Sequence, residues 1–179
     1  MLVKRAMSKN VVSVSVPGNR EKVLDLMRKE DKAVLPVVKG DTKQLVGLIT
    51  RSDLIVNPDE EQIAILMSTD LVTASPDDDV KDVAKKMIDN NVRRVPVVDD
   101  NGDLVGIITS FDLVSNALIK LESDDPVENF MITTVPTTWY KTPLNVAFET
   151  MKQFGLKSVL ALNDSAKLVG ILTETDFIE

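Results

Sequence analysis

The sequence predicts an α/β fold: three tandem copies of one βαββα unit, with copies one and two paired and a third beside them. Three observations carry this. The segment Gly47-Leu48-Ile49-Thr50-Arg51-Ser52-Asp53 returns as Gly106-Ile107-Ile108-Thr109-Ser110-Phe111-Asp112 and again as Gly170-Ile171-Leu172-Thr173-Glu174-Thr175-Asp176, at spacings of 59 and 64 residues. Self-similarity at a near-constant period marks one structural unit per copy. An apolar run and a turn precede each glycine, which reads as a β-hairpin, and apolar residues at helical spacing precede each hairpin. The expected copies span residues 7–60, 67–122 and 130–179, with a fourth absent or truncated.

In chain order, a first strand is expected over Val11 to Val16, Leu71 to Ser75 and Val135 to Trp139. The first helix follows. Copy one offers Val23, Leu26 and Met27, and copy two places Val80, Val83, Ala84, Met87 and Ile88 on one face behind Asp77, Asp78 and Asp79, which suit caps and dipole partners. Copy three offers Leu144, Ala147, Phe148 and Met151 after Pro143, a favoured first-turn residue. The hairpins begin with Val34 to Val38, Val95 to Val98 and Val159 to Leu162. Their turns are Lys39-Gly40-Asp41, Asp99-Asp100-Asn101-Gly102 and Asn163-Asp164-Ser165, of which Asn-Gly is the strongest signal. A second helix starts at each Asp of the repeated segment, best seen from Phe111 through Val114 toward Ala117, Leu118 and Leu121. One unit of about 50 residues buries too little surface to stand alone, so copies one and two should pack as a pair.

Composition narrows the chemistry. With 44% hydrophobic and 27% charged residues the chain can fill a core, which must be aliphatic because aromatics are 4%. Histidine and cysteine are absent, which removes disulfides, thiol and imidazole catalysis and the usual zinc ligands. A net charge of −7 makes nucleic acid a poor default partner. No apolar run approaches the roughly 20 residues of a membrane span, so the expectation is a soluble, cytoplasmic chain without a membrane partner.

An apolar Pro-Val-Val strand, a hairpin and then Gly-apolar-apolar-Thr-x-x-Asp entering a helix, repeated at about 60 residues, resembles the CBS (cystathionine-β-synthase) domain family from Met7 to Ile178. The resemblance implies that two repeats form a Bateman module with ligand clefts between paired sheets, and that the ligand carries adenosine. The array is similar to the γ subunit of AMP-activated protein kinase and to archaeal proteins with four such repeats, and three copies depart from that even count.

Thr and Asp three apart at a helix start form a capping box without any ligand. The resemblance adds a second role: Thr50 and Asp53, Thr109 and Asp112, and Thr173 and Asp176 mark candidate ribose and phosphate contacts, an ionised carboxylate accepting from the ribose diol. It also puts basic residues against phosphate just before the Pro-Val strand. Copy two has Arg93 and Arg94 there, copy three has Lys157 and Ser158, and copy one has Ala33 and Val34. Surface salt-bridging is the plainer reading of the arginines. The base is expected against Thr73, Ala74, Val95, Pro96 and Val97 in copy two, Ser13, Val14, Leu35 and Pro36 in copy one, and Thr137 and Thr138 in copy three, although strand alternation explains these residues equally well. Trp139 reads as core, interface or stacking platform. Asp77, Asp78 and Asp79 read as caps, with magnesium the lesser alternative.

The function expected is a non-catalytic sensor of AMP, ADP or ATP that needs no cofactor and transmits its ligand state to an unknown regulated protein. The alternatives are a ligand-free dimerisation scaffold and a sensor of S-adenosylmethionine. An enzyme would need a poised nucleophile or acid and base, and neither a serine motif nor a glycine-rich phosphate loop supplies one. Copy three lacks a copy to cover its sheet, so a homodimer held through Val135 to Ile178 is expected.

Overall fold

The computed structural model describes residues 1–118, 126–129, 131–173 and 176. Leu121 and the helix expected after Asp176 lie outside the described residues. The chain divides into two units, residues 1–123 with repeats one and two, and residues 124–179 with repeat three.

Repeat one opens with a short 3₁₀ turn, Val3–Arg5, followed by β1 (Val14–Val16), α1 (Arg20–Lys29), β2 (Val34–Lys39), β3 (Leu45–Thr50) and α2 (Arg51–Val56). Repeat two opens with a one-turn helix, α3 (Ile63–Leu66), and continues through α4 (Val80–Asp89), β4 (Arg94–Val98), β5 (Leu104–Thr109) and α5 (Ser110–Leu118). Repeat three opens with a 3₁₀ turn, Val127–Asn129, followed by β6 (Thr137–Trp139), α6 (Leu144–Gln153), β7 (Ser158–Leu162) and β8 (Leu168–Thr173). β1 lies parallel to β2, β3 antiparallel to it, and β6, β7 and β8 repeat that order. The first strands are shorter than expected. That of repeat two shrinks to one parallel bridge, with Ala74 N–H donating to Pro96 O at 3.0 Å and Val98 N–H to Ala74 O at 2.9 Å.

Local chemistry explains the helices. Asn19 caps α1 by accepting from Lys22 N–H at 3.1 Å, and Asp79 caps α4 by accepting from Lys81 N–H at 2.9 Å. Each first helix ends on a left-handed residue, Asp31, Asn91 or Gly155, with φ of 47°, 52° and 62°. The next N–H, of Lys32, Val92 or Leu156, then returns to the carbonyl of Met27, Met87 or Met151 at 2.8–2.9 Å, which is the Schellman closure. Pro143 sits one position before α6, as its N-cap.

Val23 and Met27 of α1 reach one core with Leu35, Val37, Ile49 and Leu54, and Val83 and Met87 of α4 reach another with Val95, Val97 and Ile108. Ala147 and Met151 are buried at the same positions of α6. Ile88 and Leu144 depart from the expected faces and are exposed; Ile88 directly follows Met87, and one residue's turn of the helix carries it off the face that Val83 and Met87 bury.

The cores are not closed by their own repeats. Val3 belongs to the core of repeat two, while Ile63 and Leu66 belong to that of repeat one. The exchange is reciprocal in its hydrogen bonds. Ser8 and Ile107 bond each other at 2.9 and 3.0 Å, and so do Ser68 and Leu48. The two hairpins also meet: Leu45 N–H donates to Gly102 O at 3.1 Å and Leu104 N–H to Lys43 O at 2.8 Å, so that Gln44 faces Asp103, its own counterpart 59 residues on. Residues 1–123 therefore carry an internal two-fold relation.

Candidate functional site

The base of each hairpin brings the repeated residues together. Strand register sets Val34 opposite Thr50, Arg94 opposite Thr109 and Ser158 opposite Thr173. Each threonine ends its strand, and in repeats one and two the next residue starts a helix whose third position is the Asp. In repeat two, Thr109 donates to Asp112 Oδ2 through its N–H at 2.8 Å and its hydroxyl at 2.6 Å, and Asp112 N–H donates back to Thr109 Oγ1 at 3.1 Å. Thr50 and Asp53 form the same box at 2.7, 2.7 and 3.2 Å. Thr173 donates to Asp176 Oδ2 at 2.7 and 2.9 Å. The Thr173 N–H, then its hydroxyl, hold the Asp176 carboxyl below the ordinary carboxylate value. In all three copies the bonds from the threonine converge on Oδ2 of the Asp.

The copies differ in charge around this point. Arg93 and Arg94 are exposed beside Thr109, and neither joins an ion pair among the described residues. Ser110 N–H donates to Arg93 O at 2.9 Å, which ties the arginine segment to the start of α5. Repeat two thus brings Arg93, Arg94, Thr109, Asp112 and the start of α5 to one end of one hairpin. In repeat one, Ala33 and Val34 occupy the arginine positions and are half-buried. Sequence reasoning missed Arg51, which follows Thr50 and is buried with Nη2 3.7 Å from Asp31 Oδ1. A basic residue inside the repeated segment, where the other copies have Ser110 and Glu174, was the available signal. In repeat three Lys157 is exposed beside Ser158.

The residues expected against the base divide between core and surface. Val14, Leu35, Ala74, Val95 and Val97 have their side chains in the cores, so any contact with a ligand would fall to backbone, and the Ala74 N–H and C=O already bond β4. Pro36 and Pro96 are also buried, and Ser13 and Thr73 are half-buried. Thr73 O accepts from Lys86 Nζ at 3.2 Å. Thr137 is exposed, and Thr138 donates to Thr142 Oγ1 at 3.1 Å. Trp139 pairs with Leu162 at the end of the sheet opposite Thr173, donates through Nε1 to Asp164 at 2.8 Å and meets Tyr140 edge to face at 5.6 Å.

The three consecutive aspartates act as caps and ion-pair partners: Asp77 with Lys4, Asp78 with Lys86 at 3.1 Å, and Asp79 with Lys81 N–H and the Met1 ammonium at 3.0 Å. A hollow on the outer face of α1, lined by Asn19, Glu21, Lys22, Asp25, Leu26 and Lys29, includes none of the candidate residues.

The family profile of the CBS domain matches residues 3–58, 61–118 and 127–179. The crystal structure of protein MJ1225 from Methanocaldococcus jannaschii, proposed as an archaeal homologue of γ-AMPK, superposes with a TM-score of 0.90 at 23% identity, over 99% of this chain and 71% of that one. The CBS domain pair of protein MJ0100, solved with 5′-methylthioadenosine and S-adenosyl-L-methionine, is similar at 32% identity and a TM-score of 0.60, over 65% of this chain and 99% of that one. The inosine-5′-monophosphate dehydrogenase of Nitrosopumilus maritimus is 35% identical over 120 residues, 64% of this chain and 24% of the enzyme. Among curated relatives the chain spans 42% to 70% of the length of four and 89% of a fifth.

Proposed function

Because the chain belongs to the CBS domain family, whose tandem repeats are ligand-binding regulatory modules, we propose that it is a non-catalytic sensor of an adenine nucleotide, AMP, ADP or ATP, with its phosphate site in repeat two. The observation that carries this reading is the meeting of Arg93, Arg94, Thr109 and Asp112 at the base of one hairpin. A phosphate there gains charge-assisted donors in fixed geometry and the first N–H groups of α5, while Asp112 serves the ribose. The absence of histidine and cysteine from the sequence supports a binding role over a catalytic one. No described helix is long and apolar enough to cross a membrane.

A second reading is favoured by the MJ0100 pair, which holds S-adenosylmethionine and 5′-methylthioadenosine. Both ligands share the adenine and ribose of a nucleotide and differ from it at the 5′ position, where 5′-methylthioadenosine carries a thioether and S-adenosylmethionine a sulfonium bearing methionine in place of the phosphate ester. The protein partners remain part of the proposal: a regulated protein reading the ligand state, and a homodimer through repeat three, whose Leu168, Val169 and Ile171 are exposed.

Titration calorimetry with AMP, ADP, ATP, adenosine and S-adenosylmethionine tests the site. Arg93→Ala/Arg94→Ala should weaken AMP by at least tenfold, since one hydrogen bond to a charged group contributes about 1.5–3 kcal/mol, and should change adenosine by less than threefold. Asp112→Ala should weaken both. Equal losses for AMP and adenosine in the arginine variant would show that these side chains do not touch phosphate. Tighter binding of S-adenosylmethionine than of any nucleotide would transfer the site to the second reading, and no binding at all would leave a scaffold.

A further inference from the structure

Repeat three carries both halves of the contact that closes repeats one and two on each other, and both are open. The first half is the segment that opens each repeat. One bond recurs in all three: Met7 N–H donates to Val3 O, Met67 N–H to Ile63 O and Met131 N–H to Val127 O, each at 2.9 Å. Val3 and Ile63 are 0% and 1% exposed because each enters the core of the other repeat, whereas Val127 is 76% exposed, and Met131 and Ile132 are exposed with it. The second half is the sheet edge that receives this segment. Over Gly106 lies Met7, whose Sδ would be 2.5 Å from an added Cβ, and over Gly47 lies Met67 at the same distance. Over Gly170 nothing lies within 4 Å. Gly47 and Gly106 are buried and Gly170 is exposed, as are Leu168, Val169 and Ile171 around it.

We propose that two copies of the chain pair through repeat three by exchanging their opening segments, Met131 of each closing over Gly170 of the other. The proposal deepens the homodimer reading above and moves its centre to residues 127–132, ahead of the expected interface. A second copy is the occupant that fits, because one molecule presents a donor segment and an acceptor edge and a two-fold axis satisfies both at once. Residues 1–123 show the geometry within a single chain. Transferred to repeat three, the Ser8–Ile107 bridge becomes Ile132 against the partner's Ile171, and the Gln44–Asp103 contact becomes Lys167 against the partner's Lys167. Two lysines at the axis oppose pairing, so the interface is apolar in its body and weakened by charge at its centre.

Cross-linking tests the register without reference to any nucleotide, so its result stands whether or not the ligand reading does. The sequence has no cysteine, and a hydrogen-bonded antiparallel pair brings Cα atoms to about 5.5 Å, within disulfide range. Under mild oxidation the Ile132→Cys/Ile171→Cys chain should run as a covalent dimer. Each single variant should stay monomeric on a non-reducing gel, and an equimolar mixture of the two singles should give the covalent dimer again. A disulfide formed within one chain, or no cross-link in the mixture, would overturn the exchange. Sedimentation supplies the second readout. Gly170→Leu should weaken dimerisation at least tenfold while leaving Trp139 fluorescence unfolding unchanged, since its side chain enters open space in the lone chain, and Lys167→Gln should tighten it severalfold at low salt. A wild-type chain that is monomeric at micromolar concentration would refute the pairing.

Discussion

Replacing Gly106 with Ala puts a methyl group where the opening segment of the chain crosses β5. The added Cβ would sit 2.5 Å from Met7 Sδ, 3.1 Å from its Cγ and 3.1 Å from Ser8 O. The methionine end can swing away. The Ser8 carbonyl cannot move freely, because it accepts from Ile107 N–H at 3.0 Å. Overpacking of this kind costs about 1–3 kcal/mol, and the better strand propensity of Ala returns about 0.5–1 kcal/mol, so a net destabilisation of up to about 2.5 kcal/mol is expected. Met7→Ala removes the sulfur and leaves the carbonyl, so the double variant should recover about 1 kcal/mol relative to additivity. Hydrogen exchange read by mass spectrometry locates the effect: peptides covering Val3 and Ser8, which bond Asp78 O and Ile107 O, should exchange faster in Gly106→Ala. The sequence has one tryptophan, Trp139 in the second unit, so its fluorescence unfolding serves as an internal control that should not shift. Unchanged exchange at Val3 and Ser8, or no relief from Met7→Ala, would refute the exchange of opening segments between repeats one and two.

Two further outcomes follow from local chemistry. Asn91, at φ 52°, closes α4 in the left-handed region, where Asn is tolerated and Ala costs about 1–2 kcal/mol, so Asn91→Ala should lower stability by about 1 kcal/mol in urea unfolding followed by circular dichroism. For Asp78, burial pushes the carboxyl up, but the Ser75 N–H and the Lys86 ammonium outweigh it and leave the group below its ordinary value of 3.8. The stability it contributes is therefore present above pH 3.8 and lost as pH falls through the lower folded value. Asp78→Asn should be less stable than wild type at pH 6 by up to about 1 kcal/mol, and urea midpoints should show the gap closing toward pH 3.

The repeated segment made the fold legible, since Gly47, Gly106 and Gly170 each sit in the second strand of a hairpin and each Asp bonds the threonine that ends that strand. The Arg93 and Arg94 position was legible for the same reason: a register fixed by the hairpin sets Arg94 opposite Thr109. Which surface the residues of the Pro-Val strand fill was not. A strand covered on both sides reads as a continuous apolar run, so Val95 and Val97 give no sign of which surface they fill. The exchange was hidden as well, because Met7 and Met67 precede their first strands and look like linker until the glycine they cover is known. Arg51 was passed over because the search compared what the copies share, and it differs between them.

The placement of Val3 has a consequence for the order in which the molecule is made. Its destination includes Val95, Val97 and Ile108, so Val3 waits until more than a hundred residues after it have been made. Repeat one, complete in sequence by residue 56, lacks Ile63 and Leu66 and stays unsealed while the next copy is being synthesised. Closure by contacts so far apart in the chain is slow. The nascent halves are not two beads threaded in succession but one late event, and during that interval Val3 and Met7 are the exposed apolar surface that a chaperone would have to shield.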